Sequence, residues 1–495
     1  MPAVAATQAP VRDTATEPLP RGVWAVAGGL FVLLLALSGR YGWHRDELYF
    51  RVAGRHLDWG YIDQPPFTPL VARLGSEVAD GNLFVLRFVP AVAAALTVVL
   101  GAALVRELGG SRRAQVVGAG VVAASGFVLG AGHLLATSTF DLLAWMAALV
   151  LCARLLRTDE PRWWLAIGAV VGAAMLNKHL IVLLVASVVV GLAVERRWRL
   201  LVTPWAVAGA AIAVVLAAPN LLWQAANGWP QLDMADALAE RLAVENRLTL
   251  LPLQVLFFGP VVVVLLWRGA AWLVRAPEGR RLRPLLWAWP VGLALTFATA
   301  GRPYYVFPLT LAVGLAGVVA SERMDLDLRR LARLVAINGA ISALLALPVL
   351  PQSWAAAVAV ANETAIEQIG WPELAEQVAD VLASLPDEER DGAIVLAASY
   401  GEAGALDLHG DDLPPVHSGH NSYADFGQPS DDEATVVAVR YPAARIGRYF
   451  ERCEQVTTVR TPHDVPNEIE GTPIHVCRGL RGTWPEVWDQ LRHLS

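Results

Sequence analysis

The sequence predicts a mainly α-helical, polytopic membrane bundle of about eleven spans, followed by a small water-facing α/β domain. Three observations lead there. Of 495 residues, 55% are hydrophobic and 17% charged, with a mean hydropathy of +0.45, whereas soluble domains carry about 25% charged residues. Apolar runs long enough to cross a bilayer recur through residues 23–350. The charge is also split. Residues 351–495 hold nine arginines against 24 acidic residues, a net of −15, while the rest of the chain nets +9. This composition excludes an ordinary soluble enzyme, a disordered chain and a nucleic-acid-binding protein.

Residues 1–22 are rich in Pro, Ala and Thr and read as a disordered lead-in on the cytoplasmic side. No small-residue cleavage site follows the first apolar run, so no removable signal peptide is expected. The spans are expected at 23–40, 84–105, 114–134, 138–156, 163–177, 179–195, 203–220, 249–274, 284–300, 303–321 and 331–350. Orientation follows from arginine. Five alternate connections hold 17 arginines, from Arg106, Arg112 and Arg113 through to Arg323, Arg329, Arg330 and Arg333. Such connections face the cytoplasm. The chain is therefore expected in the cell membrane, with its N-terminus inside and its acidic tail outside.

The outer connections 41–83 and 221–248 are too long to be mere links. The first is expected to carry an amphipathic interfacial helix near Glu47–Leu57, and the second a short surface helix at Ala235–Val244. In the tail, Glu363–Leu385 has helical periodicity. Four strand-like segments follow, Ala393–Ser399, Thr435–Val439, Val456–Arg460 and Pro473–Cys477, and then a helix holding Trp484 and Trp488. Cys453 and Cys477 are spaced to allow a disulfide, which an oxidising compartment would favour over two free thiols.

Polar residues collect at the outward ends of the spans, where ionisable groups are costly and usually functional. His44-Arg45-Asp46-Glu47 offers a general base, although two acids opening a helix also read as capping residues. Asp141 opens the fourth span, as a site acid or as a first-turn residue beside its cap. Lys178, the sole lysine beside 38 arginines, lies in Asn177-Lys178-His179. It suits a phosphate, or snorkels to the interface. Arg302, before Pro303, Tyr304 and Tyr305, suits an anion, while the tyrosines also fit an aromatic belt. Together the clusters put two carboxylates and two cations on one side of the membrane. That combination suits activation of a hydroxyl and expulsion of a phosphate.

Asp46-Glu47-Leu48-Tyr49, with Trp59-Gly60-Tyr61-Ile62-Asp63-Gln64-Pro65-Pro66, resembles the family 39-like glycosyltransferases of the GT-C superfamily. Protein O-mannosyltransferases and the lipid A aminoarabinose transferase belong there. The resemblance extends through Asp141, the Asn-Lys-His segment and Arg302-Pro303-Tyr304-Tyr305, over most of residues 1–350. It implies a GT-C catalytic region over 23–350, with the site in loop 41–83, and an extracytoplasmic domain over 351–495. The donor it implies is a polyprenyl-phosphate-linked sugar, a hexose such as mannose. The acceptor is an extracytoplasmic hydroxyl on a protein, glycan or lipid.

Residue by residue, the resemblance implies Asp46 as base, Glu47 as its partner and Asp141 as a second acid. Lys178 and Arg302 match positions suited to the lipid phosphate, and Arg45 joins them by proximity. Tyr49, Tyr61, Asp63 and Tyr304 are expected to touch substrate. Gln64 replaces a histidine common in relatives, so no tightly bound metal and no other cofactor is expected. The tail segments around Tyr400 and Ser418-Gly419-His420-Asn421-Ser422-Tyr423 resemble actinobacterial members of this group. There His420 and Asn421 are candidates for substrate contact, or for satisfying nearby backbone. Two rival readings are a secondary transporter and a non-catalytic protein that binds lipid carriers. No matching halves of interrupted helices support the first.

Overall fold

A computed structural model describes residues 17–358, 363–430 and 435–495. Most of the expected N-terminal lead-in lies outside the described residues, and residues 21–22 already belong to the first helix, Arg21–Leu37. The apolar runs form helices because lipid offers the backbone no partner, so every N–H and C=O must bond within its own segment. Helices follow at Leu83–Glu107, Thr137–Thr158, Trp163–Met175, Ile181–Val194, Pro204–Ala226, Val264–Arg275, Arg283–Ala298, Phe307–Arg323 and Leu328–Ala346.

By length and hydropathy, four described segments suffice to cross a membrane: 83–107, 137–158, 204–226 and 303–323. The expected span at 114–134 is a pair, Arg112–Ala123 and Gly126–His133, bent by 61°. Ser125 sits at the bend and its hydroxyl donates to Phe257 O. Other helices pack at backbone distance. A Cβ on Gly269 would lie 2.0 Å from Val313 O, and one on Gly317 2.0 Å from Leu265 O. Small residues permit this approach where no hydrophobic drive separates helix from lipid.

Three local expectations are corrected. The run 249–274 is not one span. Helix Pro230–Phe258 ends at Gly259 (φ 118°), and the chain restarts at Val264. Asn338 fills the break: its Oδ1 accepts from Val261 N and its Nδ2 donates to Ala124 O. Residues 221–248 are mostly helix, because Asn227-Gly228-Trp229 turns the chain directly from one helix into the next. The expected helix Ala235–Val244 is the first half of that 29-residue helix. The expected interfacial helix near Glu47–Leu57 spans Arg45–Ala53 instead. Its residues Glu47 to Ala53 are buried rather than lying on lipid.

The five arginine-bearing connections bond to one another. Glu107 pairs with Arg157, Arg197 with Asp159, and Ser111 with Glu322, while Arg281 donates to Arg157 O. They therefore form one face of the bundle, as their alternation along the chain predicts.

Among its described residues, the C-terminal unit holds five strands: β1 Ala393–Ala397, β2 Val416–His417, β3 Thr435–Val439, β4 Phe450–Thr458 and β5 Pro473–Leu480. Their order is β2-β1-β3-β5-β4, parallel through β3 and antiparallel beyond it. Alternate residues serve opposite faces. Ile394 and Leu396 pack under helix Trp484–Leu491, while Val395 and Ala397 pack under helix Trp371–Ala383. That second cluster continues into Leu48, Tyr49 and Phe50, so the unit is docked on helix Arg45–Ala53.

Here too the limits differ from expectation. Gly370 (φ 99°) splits the expected helix 363–385, and the two-residue strand β2 gave no pattern to read. Strand β4 starts at Phe450, earlier than expected, because its charged residues face solvent at the sheet edge. Cys453 and Cys477 oppose each other on β4 and β5 and form a disulfide.

Candidate active site

A cavity of about 260 Å³ lies in the seam between the helical bundle and the C-terminal unit. Helix Arg45–Ala53 supplies Arg45, Asp46, Tyr49 and Phe50, and the following turn adds Asp63 and Gln64. The bundle adds Thr137, Met234, Leu238, Arg241 and Arg302. The C-terminal unit closes the wall with Ser399, Tyr400, His420, Asn421, Arg440, Glu468 and Ser495.

Asp46 reaches this cavity from the first turn of the helix that His44 caps. The His44 Nδ1 accepts from Asp46 N at 3.2 Å, and His44 N donates to Glu47 Oε2 at 3.0 Å, a capping box. The Asp46 side chain is 35% exposed. Its Oδ1 accepts from Tyr400 OH at 2.9 Å, with Arg45 Nε at 3.7 Å and His44 Nδ1 at 3.9 Å. Burial raises its pKa, but His44, Arg45, the Tyr400 bond and Arg302 together hold it below the ordinary value. Asp63 is the opposite case. Burial pushes its carboxyl up to about 6, although Tyr49 OH donates to it at 2.9 Å and Asn421 Nδ2 at 3.3 Å. One cavity thus holds two carboxyl groups with separated proton affinities, the usual arrangement where one is kept as a base.

The cations divide in the same way. Arg45 is engaged with Glu468 at 2.9 Å and Glu367 at 3.5 Å, and Arg440 is engaged with Glu402 and Glu468. Among the described residues, the guanidinium groups of Arg241 and Arg302 have no hydrogen-bond or ion-pair partner. Lys178 stands just behind. Its Nζ donates to Tyr304 OH at 2.9 Å and lies 4.9 and 5.1 Å from the rings of Tyr304 and Tyr305. The Lys178 turn is tied to the Asp63-Gln64 turn, since Phe67 N donates to Leu176 O and Thr68 Oγ1 to Asn177 Oδ1.

The structure thus brings Arg45, Asp46, Tyr49, Asp63, Arg302, His420 and Asn421 together on the cavity wall. It places others elsewhere. Glu47 is fully buried, bonded twice to Arg87 and to Leu135 N. Tyr61 OH donates to Ala53 O and His56 O, bracing the loop. Asp141 is buried on its span, accepts from Trp145 Nε1 at 3.1 Å and does not line the cavity. Sequence reasoning missed Arg241, Arg440, Glu468 and Tyr400, although Arg241 and Tyr400 lay in segments already marked.

His420 and Asn421 do two jobs. Burial lowers the His420 pKa to about 3, so the ring is neutral. Its Nδ1 accepts from Tyr400 N, and its Nε2 sits 2.6 Å from Ser495 Oγ. The Gln64 amide nitrogen is buried and unpartnered on the cavity wall. Among the described residues, no three His, Cys, Asp or Glu side chains converge to hold a metal ion.

The chain has an ArnT-like fold. It matches ArnT from Cupriavidus metallidurans bound to undecaprenyl phosphate with a TM-score of 0.62 and 17% identity, over 92% of this chain and 97% of that one. The apo form of the same protein matches at 0.58 and 16%, over 92% and 96%. The oligosaccharyltransferase AglB from Archaeoglobus fulgidus, in complex with an inhibitory peptide and a dolichol-phosphate, matches at 0.50 and 14%, over 85% and 69%. At the level of family, residues 63–223 match the model of the dolichyl-phosphate-mannose-protein mannosyltransferases. No curated protein matches the chain.

Proposed function

We propose that this protein is an inverting, membrane-embedded glycosyltransferase. It moves a sugar, a hexose such as mannose, from a polyprenyl-phosphate carrier to a hydroxyl of an extracytoplasmic acceptor. The helical region 23–350 is the catalytic domain and 351–495 the extracytoplasmic domain. The observation that carries this reading is the position of Asp46: a carboxylate held in its ionised form, open to a cavity whose wall also carries the guanidinium groups of Arg241 and Arg302. The family match over 63–223 and the lipid phosphate bound in the structural relative support the donor class.

In this mechanism Asp46 takes the proton of the acceptor hydroxyl as its oxygen attacks the anomeric carbon. The bond from that carbon to the phosphate oxygen breaks, and the lipid phosphate departs with the electron pair. Arg302 and Arg241 take up its charge, with Lys178 behind them. Arg45, already paired with two carboxylates, organises Asp46 instead of meeting phosphate.

The test supplies the full-length protein in membranes with polyprenyl-phosphate mannose, and in parallel with glucose- and aminoarabinose-bearing carriers. We expect transfer from one of them, slowed roughly 10²–10⁴-fold by Asp46→Asn. Unchanged transfer in Asp46→Asn removes the base. No transfer from any carrier removes the donor class.

A further inference from the structure

We infer that Tyr400, carried by the C-terminal unit, is a positioning residue for the Asp46 carboxylate. Its phenol occupies one carboxylate oxygen and leaves the other for the acceptor hydroxyl. The inference rests on reading Asp46 as the base.

The first support is the way Tyr400 is held. Its ring stacks on Tyr49 at 4.6 Å and on His420 at 4.5 Å, and His420 stacks on His493 at 4.8 Å. The phenol is thus clamped in a four-ring pile that spans both parts of the molecule. The His420 Nδ1 accepts from Tyr400 N, which fixes the backbone as well. The helix that Tyr400 opens, Tyr400–His409, is pressed on helix Arg45–Ala53 almost backbone to backbone. A Cβ on Gly401 would lie 2.9 Å from Arg45 Cβ, and one on Gly404 2.9 Å from the Leu48 backbone. No slack remains in the distance from Tyr400 OH to Asp46.

The second support is what the other neighbours would do alone. His44 and Arg45 face Asp46 from its own helix, at 3.9 and 3.7 Å. Arg302 and Tyr304 face it from the bundle, Asp63 from the neighbouring turn, and Glu367 from behind His44. The cations favour ionisation, but Arg45 draws the carboxylate sideways along its own helix. A donor from across the cavity is the group that turns it outward. Burial raises the Tyr400 pKa well above the ordinary value, so the phenol keeps its proton and stays a donor.

Infrared titration of the full-length protein in detergent tests this without any substrate. The carboxylic-acid band missing in Asp46→Asn reports Asp46. Tyr400→Phe keeps the ring pile and removes only the hydroxyl, so its midpoint should rise by about one pH unit. Incorporation of 3-fluorotyrosine at position 400 strengthens the donor and should lower the midpoint, which covers the case where Tyr400→Phe folds poorly. In sugar transfer, Tyr400→Phe should cut kcat roughly 10- to 100-fold, leave the donor KM near wild type and move the acid limb to higher pH. Identical Asp46 midpoints in all three proteins overturn the inference while leaving the base assignment intact. Full transfer in Asp46→Asn overturns both.

Discussion

Asp46 and Glu47 are neighbours with opposite fates. One residue along a helix turns the side chain by about 100°, and here that turn separates the two acids. Glu47 turns inward to Arg87 and caps its own helix, and Asp46 turns to the void. In the sequence they look like a pair because spacing shows adjacency and not direction. Asp46 and Arg302 were legible as polar groups where apolar runs end, and Asp63 through the resemblance of the first loop. Arg241, Glu468 and Tyr400 were not, since nothing local marks residues that meet only after distant segments fold together. Lys178 yields a prediction at this scale. Held over two tyrosine rings, it should tolerate arginine, which also stacks on aromatic faces. Lys178→Arg should therefore retain most donor affinity, while Lys178→Ala should raise the donor KM roughly tenfold. Equal KM values for the two variants would remove Lys178 from the phosphate's surroundings.

Among the elements, the helices were readable because hydropathy alone decides them, and the breaks were not. Gly259 ends a helix inside an apolar run, and it is tolerated only because Asn338, 77 residues from Val261, bonds the freed backbone. No window of sequence contains both halves of that arrangement. Helix Arg45–Ala53 was placed on lipid because its residues are mixed in polarity, whereas its polar groups find partners inside the protein. The packing of 264–275 on 307–323 makes a direct test. Gly317→Ala puts a Cβ against the Leu265 carbonyl and should cost about 1–3 kcal/mol of stability, read as a lower melting temperature in detergent. Gly28→Ala, where no atom lies within 4 Å, should leave it unchanged. A Gly317→Ala protein that melts with wild type would show that the helix pair adjusts freely.

For the whole molecule, the α/β composition of the tail was legible, and its docking on the first loop was not. Ionic clips hold the two parts together: His44 to Glu367 at 2.9 Å, Arg45 to Glu468, and Arg51 and Arg55 to Asp407. Burial disfavours a charged His44, but its bond to Glu367 and the charges of Asp46 and Glu367 outweigh burial and raise its pKa. A raised histidine stabilises fully below its unfolded pKa of about 6.5 and loses that contribution as pH climbs through the folded value. The melting temperature should therefore fall as pH rises above about 6.5. The fall should be smaller in His44→Asn, which can still cap the helix. Parallel pH profiles would mean that the clip contributes nothing to stability.

The bond from Tyr400 to Asp46 spans 354 residues of chain. At about 5–20 residues per second of synthesis, one side of the site exists roughly 20–70 s before the other. During that interval the Asp46 carboxylate lacks the wall that the C-terminal unit supplies. Until the C-terminal unit has been made, Asp46 therefore stands without the phenol that binds it in the folded protein.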